Sequence, residues 1–356
     1  MKVQHSMLDQ MKTKNFYIIV VFIGATSLSL WLFNYPTTSF RVIVTKTHKQ
    51  INNIKNLPSN MQKKSTQELS VDPVYLNALG FSDDTVLIGH RGSGQKSLPV
   101  IATSVEPGRM EKTVYFINSV RKYMETRHLV LVDLGVSKTE KAMLRRNCNS
   151  TWNCRINVLN YEKYPSHVQY LDIKSYRPIC IQELLTEYGA VMWVDTSLYF
   201  TNSKINESLA LAQASGIAAW TIQDPTSSLT HPKMFQFFKT KPDEFYFHRA
   251  VESSHLVIYN TETIHRELML PWVKCALLEE CISPTGAQNV GCNYLRKPLF
   301  KYSGCHHYDM SALNVILGLL FDFEVSKYSS SEKIFGTVSK DGMNYTTPQF
   351  KLRSVS

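Results

Sequence analysis

Residues 190–200 read Ala-Val-Met-Trp-Val-Asp-Thr-Ser-Leu-Tyr-Phe, and this stretch decides the fold. A mostly apolar run of this length, introduced by Gly189, reads as a buried strand. Within it, Met192-Trp193-Val194 meets a lone acid, Asp195, and then the small polar pair Thr196-Ser197. In open α/β sheets, ligands bind beyond the carboxyl ends of the strands. An aspartate at that place has two readings. It could hold a divalent cation that neutralises a diphosphate, or it could cap the turn that follows the strand.

Working outward, short apolar runs alternate with helical patterns. Pro99–Val105, His128–Val136 and Arg155–Leu159 read as strands that precede Ala190–Phe200. Between them, Arg109–Thr126 carries Met110, Val114, Ile117, Val120 and Met124 at helical spacing. Ser137 caps a predicted helix over Lys138–Arg146, with Glu140 at the capping-box position. A further helix is predicted over Ile179–Tyr188. Later strands are expected at Ile217–Ile222, His255–Tyr259 and Phe323–Val325, and long helices at Thr263–Glu280 and Met310–Leu320. This alternation predicts an α/β fold of Rossmann-like βαβ units, with a mostly parallel sheet flanked by helices.

Other chemistry-bearing residues each have a functional and a structural reading. Asp133 ends the second strand in Leu-Val-Leu-Val-Asp-Leu-Gly. It could contact a nucleoside or hold its own turn, and the same stretch loosely suggests a methyl-donor loop. Cys305-His306-His307-Tyr308-Asp309 places two histidines before a helix, with Asp309 read as its N-cap. One histidine could complete a metal site with Asp195, or both are polar loop residues, since chain neighbours point apart. Glu252 could act as a general base beside a cleft or lie at the surface. Gly89–Ser97 nearly matches a phosphate loop, but its lysine is out of register and Pro99 stands where a helix would begin, so it reads as an ordinary loop.

The chain has 356 residues, a net charge of +10 and 44% hydrophobic residues, which excludes wholesale disorder. Residues 1–70 hold nine Lys or Arg against two acids, so the rest is near neutral. No basic, aromatic-interleaved cluster marks the globular part, and nucleic acid is not an expected partner. Phe16–Phe33 is uncharged and about 27 Å long as a helix, enough to approach the hydrocarbon thickness of a bilayer. It ends in Trp-Leu-Phe-Asn-Tyr-Pro, a poor cleavage context, which favours an uncleaved anchor over a signal peptide. Flanking lysines do not settle orientation. All seven cysteines and the sequons at Asn149, Asn206 and Asn344 lie downstream, as expected of a luminal domain. The spacings fit no zinc motif, and up to three disulfides plus one free thiol are expected, with pairing open. The expected layout is a cytoplasmic tail (1–15), an anchor (16–35), a flexible stem (36–72), a luminal domain (73–340) and a loosely ordered end (341–356).

Four places together resemble GT-A-type glycosyltransferases, most closely a nematode-expanded group of type II membrane proteins. They are the Pro99–Val105 strand, Arg177-Pro-Ile-Cys-Ile-Gln-Glu-Leu-Leu leading to Trp193-Val-Asp-Thr-Ser, the Glu252-Ser-Ser to Pro271-Trp-Val-Lys-Cys block, and Tyr308-Asp-Met-Ser-Ala-Leu-Asn. The resemblance implies a Golgi or endoplasmic-reticulum enzyme that moves a sugar from a nucleotide-sugar to a glycan, lipid or protein acceptor. It implies donor contacts at Thr103, Asp133, Asp195 and Ser197, and catalytic roles for Asp195, Glu252 and Asp309. It also implies a divalent cation such as Mn2+ at Asp195, His306 and His307. In such transferases an Asp-x-Asp motif after a central strand binds the metal and nucleotide-sugar, and a later Asp-Gln-Ser-x-Leu-Asn-like helix start lies near donor or acceptor; here Ser197 occupies the place of the second aspartate and Met310 that of the glutamine. An inactive luminal binding protein of the same fold and a membrane-tethered methyltransferase are the alternatives.

Overall fold

The computed structural model describes residues 68–82, 98–149, 152–295 and 297–338, together with Val21, Phe22 and Thr26. Two compact units divide the chain, Met1–Ser65 and Thr66–Ser356. The expected tail, anchor and most of the stem, the Gly89–Ser97 loop, Asn344 and the C-terminal segment lie outside the described residues, apart from the three in the first unit. Among the described residues no helix is long and apolar enough to cross a membrane.

The second unit is built on a six-stranded sheet. Its strands are β1 (Val100–Val105), β2 (Leu129–Asp133), β3 (Cys154–Val158), β4 (Ala190–Val194), β6 (Ile217–Pro225) and β7 (Arg249–Tyr259), in the order β3-β2-β1-β4-β7-β6. β1 pairs in parallel with β2 and with β4, and β2 with β3. β7 runs antiparallel to β4 and to β6, so it alone opposes the common direction. The sheet is therefore mostly parallel, as expected. Every residue of β1, β2 and β4 is buried, because helices cover both faces. Alternate β4 residues feed two cores: Val191 and Trp193 face one, while Ala190, Met192 and Val194 face the other.

The helices form for legible reasons. α1 (Pro73–Ala78) starts at Asp72, whose side chain accepts from the Val74 N–H. Just before it, Leu69 and Val71, read as the end of the stem, pack against the core. α2 (Met110–Tyr123) turns Phe116, Ile117 and Val120 into the second core. α3 (Lys138–Asn147) has the complete Ser137/Glu140 capping box. α4 (Tyr176–Tyr188) ends at Gly189, at φ +75°, and leads directly into β4. α5 (Asn206–Ser215) ends at Gly216, at φ +89°, where an added Cβ would lie 2.3 Å from Ile264 Cγ1.

Three expectations change. Ala190–Phe200 is not one strand: the Leu198 N–H closes back on the Asp195 carbonyl at 3.0 Å, and the chain restarts as β5 (Leu198–Phe200). β5 pairs antiparallel with β8 (Phe335–Thr337) in a separate two-stranded sheet. The single helix over Thr263–Glu280 is a π-helical turn, Ile264–Met269, followed by α6 (Leu270–Leu277). Pro271 lacks the N–H that an unbroken α-ladder needs, and a widened turn before it accommodates that loss. Phe323–Val325 is no strand, because Asp322 and Phe323 take positive φ. The Phe323 N–H closes on the Gly318 carbonyl at the end of α7 (Asp309–Leu320).

Disulfides join Cys148 to Cys154, Cys275 to Cys281 and Cys292 to Cys305, leaving Cys180 as a buried free thiol. Three bridges and one thiol match the count expected from the sequence.

Candidate functional site

Chain order along the sheet reverses at β1. From there the connections run outward through β2 and β3, while β4 lies on its other side. Such a reversal opens a crevice outside the carboxyl ends of the two central strands. Asp195 follows β4 into this region, Glu106 follows β1, and the first turn of α4 supplies Tyr176 and Arg177.

Arg177 organises the site. Its guanidinium lies 2.5 Å from Asp195 Oδ2 through Nη2, and Nη1 donates to Asp309 Oδ2 and, at 2.9 Å, to Ser253 Oγ. The Arg177 side chain is 4% exposed, that of Asp309 2% and that of Asp195 17%. The Arg177 Nε has no partner. Burial alone would loosen the Arg177 proton, but the flanking Asp195 and Asp309 outweigh it and hold the group charged. Burial pushes the Asp309 carboxyl upward, against the pull of Arg177. Asp195 Oδ1 also accepts from Trp193 Nε1 at 2.8 Å. The Trp272 indole donates to the Asp309 carbonyl at 2.9 Å.

β7 brings the next groups. The Asp195 N–H donates to the Ser254 carbonyl at 2.7 Å, which sets Glu252, Ser253 and Ser254 beside the end of β4. Glu252 is partly buried within the strand, not ahead of it as expected, and Ser254 Oγ approaches its Oε2 at 3.5 Å. Burial raises the Glu252 pKa, Arg177 opposes this, and Asp195 adds to it. His255 Nδ1 lies 3.0 Å from Ser254 Oγ, and its ring packs against Trp220 and Phe335. On the β1 side, Glu106 binds Lys174, Arg109 and the Tyr176 hydroxyl. Burial would raise its pKa, but the two cations, led by Lys174, bring it below the ordinary value.

The other predicted residues fare differently. Asp309 does not cap its helix: Tyr308, at φ +50°, is the N-cap, and the Asp309 carboxylate is spent on Arg177. Asp133 accepts from the Gly135 and Val136 N–H groups, both at 2.8 Å, and pairs with Lys141 at 3.0 Å. These contacts hold its own turn. Thr103 is fully buried inside β1, with its hydroxyl on the neighbouring Ser104 carbonyl. Ser197 is exposed on the turn into β5. Asn149 and Asn206 are exposed.

The expected metal set of Asp195, His306 and His307 is not assembled. His306 is fully buried; its Nδ1 accepts from the His231 N–H and its Nε2 donates to the Ile282 carbonyl, both at 3.1 Å. Neither nitrogen is left to bind a cation. His307 Nε2 faces the Tyr294 hydroxyl at 3.1 Å. Among the described residues no group of three or more His, Cys, Asp or Glu is placed to hold a metal ion.

Arg177 carries no role in the sequence reading, because the predicted helix begins two residues after it, at Ile179. The structure places this cation in a first helical turn, where the macrodipole disfavours positive charge. Such a residue needs anionic partners elsewhere, and here they come from β4 and α7.

No family model and no curated protein matches the chain. Solved structures with partial likeness include the bifunctional glycosyltransferase WbbM (apo; TM-score 0.41, 11% identity, 63% of this chain and 38% of that one). They also include core-mannan synthase A from Aspergillus fumigatus with Mn and GDP (0.39, 8%, 66% and 73%) and mouse xyloside xylosyltransferase 1 (apo; 0.37, 11%, 65% and 84%). The chain thus spans less than two fifths of WbbM. Superpositions this loose assign neither a fold family nor an activity.

Proposed function

We propose that the chain is a glycosyltransferase that moves a sugar from a nucleotide-sugar to a hydroxyl of a glycan, lipid or protein. The observation that carries the reading is the convergence of Asp195, Glu252 and Asp309 around one buried guanidinium at the sheet's reversal point. Asp195, partly exposed, faces the donor. Glu252, with its raised affinity for a proton, takes the proton from the acceptor hydroxyl. Arg177 balances carboxylate charge where a diphosphate leaves. A type II placement in the Golgi or endoplasmic reticulum belongs to the same proposal, and the three disulfides suit an oxidising compartment.

The test uses the full-length protein and a panel of nucleotide-sugars, with release of nucleoside diphosphate as the readout. Asp195→Asn is expected to lower turnover by about 100-fold or more, the scale of losing one aimed electrostatic contact. Wild-type turnover is expected to fall as pH drops through the raised Glu252 pKa, at higher pH than an ordinary carboxylate would impose, and Glu252→Gln removes that limb. Unchanged rates in Asp195→Asn would remove it from the site.

The pairing of both Asp195 oxygens, with Arg177 and with the Trp193 indole, favours a second reading, an inactive binding protein of the same fold. Calorimetry separates the two: tight nucleoside diphosphate binding without any turnover supports it. Absence of all nucleotide binding overturns both.

A further inference from the structure

Asp195 and Asp309 reach the site from different elements, the end of β4 and the start of α7, and their carboxylates are joined by one guanidinium. Arg177 arrives from a third element, in the first turn of α4, where a cation gains nothing from its own helix. Its fork engages Asp195, Asp309 and Ser253 at once, a geometry that a point-charge ammonium cannot reproduce. A divalent cation on Asp195 would need carboxylate oxygens at about 2.0–2.6 Å. Oδ2 already faces Arg177 and Oδ1 takes the Trp193 indole N–H. Ser197, at the position of a second motif acid, is turned to solvent. A metal bound there would also lie against the permanent charge of the guanidinium.

We infer that Arg177 is the resident cation of this site, standing in the place of a divalent metal, so that the site takes its anionic ligand without added metal. The nature of that ligand rests on the sugar-transfer reading. The occupancy of the cation's place by Arg177 rests on geometry alone. Removing the guanidinium therefore leaves the Asp195 and Asp309 carboxylates facing one vacated place that a metal cation can enter.

The experiment titrates full-length wild type and Arg177→Ala with terbium and with Mn2+, without nucleotide. Trp193 touches Asp195 and Trp272 touches Asp309, so tryptophan-sensitised terbium emission reports a cation at this place. Wild type is expected to give the same trace as Asp195→Asn. Arg177→Ala is expected to gain saturable emission, roughly tenfold tighter or better, competed by Mn2+ and absent in Arg177→Ala/Asp195→Asn. If Arg177→Ala is unfolded in metal-free buffer, Mn2+ is expected to restore its circular dichroism. Asp195-dependent emission in wild type overturns the inference, as does an Arg177→Ala chain that neither binds nor refolds with metal. A parallel arm measures nucleotide-sugar binding to wild type with and without EDTA. Loss of binding in EDTA overturns the inference, and no binding in either buffer overturns the sugar-transfer reading while the terbium result still decides the place of Arg177.

Discussion

Arg177→Met is expected to cost roughly 3–5 kcal/mol of folding stability, the range for breaking a buried ion pair from one side. The Met side chain keeps most of the aliphatic volume, so the loss is mainly electrostatic. Asp309 is then a carboxylate 2% exposed with its cation gone. Asp195 suffers less, because it remains 17% exposed and keeps the Trp193 N–H. The asymmetry makes a sharp second expectation. Adding Asp309→Leu to Arg177→Met removes the stranded charge and is expected to recover most of the lost stability, since buried pairs often replace well by apolar groups. The pH dependence has a definite sign. Without Arg177, the folded Asp309 pKa rises further above its unfolded value, so the folded state is favoured below the unfolded pKa and loses stability as pH rises through the folded one. Urea melts should therefore show the variant's deficit growing with pH. A double variant no more stable than Arg177→Met would show that the triad is not an electrostatic unit.

The sheet was legible because burial on both faces leaves β1, β2 and β4 as plain apolar runs. The α3 capping box and Gly189 were legible because their chemistry is local. The break at Asp195 was not, because Leu198-Tyr199-Phe200 continues the apolar pattern while pairing in another sheet with residues far along the chain. Arg177 was illegible for the same kind of reason. Its partners stand 18 and 132 positions away, and no spacing rule joins them. His306 shows the converse: a histidine that looks like ligand chemistry in sequence is satisfied by two backbone groups, which only the packed chain supplies.

Buried, hydrogen-bonded histidines carry the second large expectation, a steep loss of stability in mild acid. Burial lowers the His306 pKa to about 3 and the His248 pKa to about 4. His306 faces His231 and His307, both of which also resist its charging. His248 lies between the Thr226 hydroxyl at 2.8 Å and the Tyr328 hydroxyl at 2.7 Å, in a buried setting. In the unfolded chain both titrate near the ordinary value of about 6.5. Between that value and their folded values the unfolded state binds more protons. The stability is therefore fully present above about pH 6.5 and is lost as pH falls, by up to about 1.4 kcal/mol per pH unit for each group. Glu252 and Asp309, with raised values, oppose this trend at lower pH, so the net slope alone does not isolate the histidines. His306→Gln does. Its amide can accept from the His231 N–H and donate to the Ile282 carbonyl, as the imidazole does, but it cannot take up a proton. Between about pH 6 and pH 4, melts are expected to show a slope shallower than wild type by up to about 1.4 kcal/mol per pH unit, the contribution of one proton. Parallel slopes would mean that His306 is charged or solvated in the folded chain, and with its nitrogens free it would return as a candidate ligand.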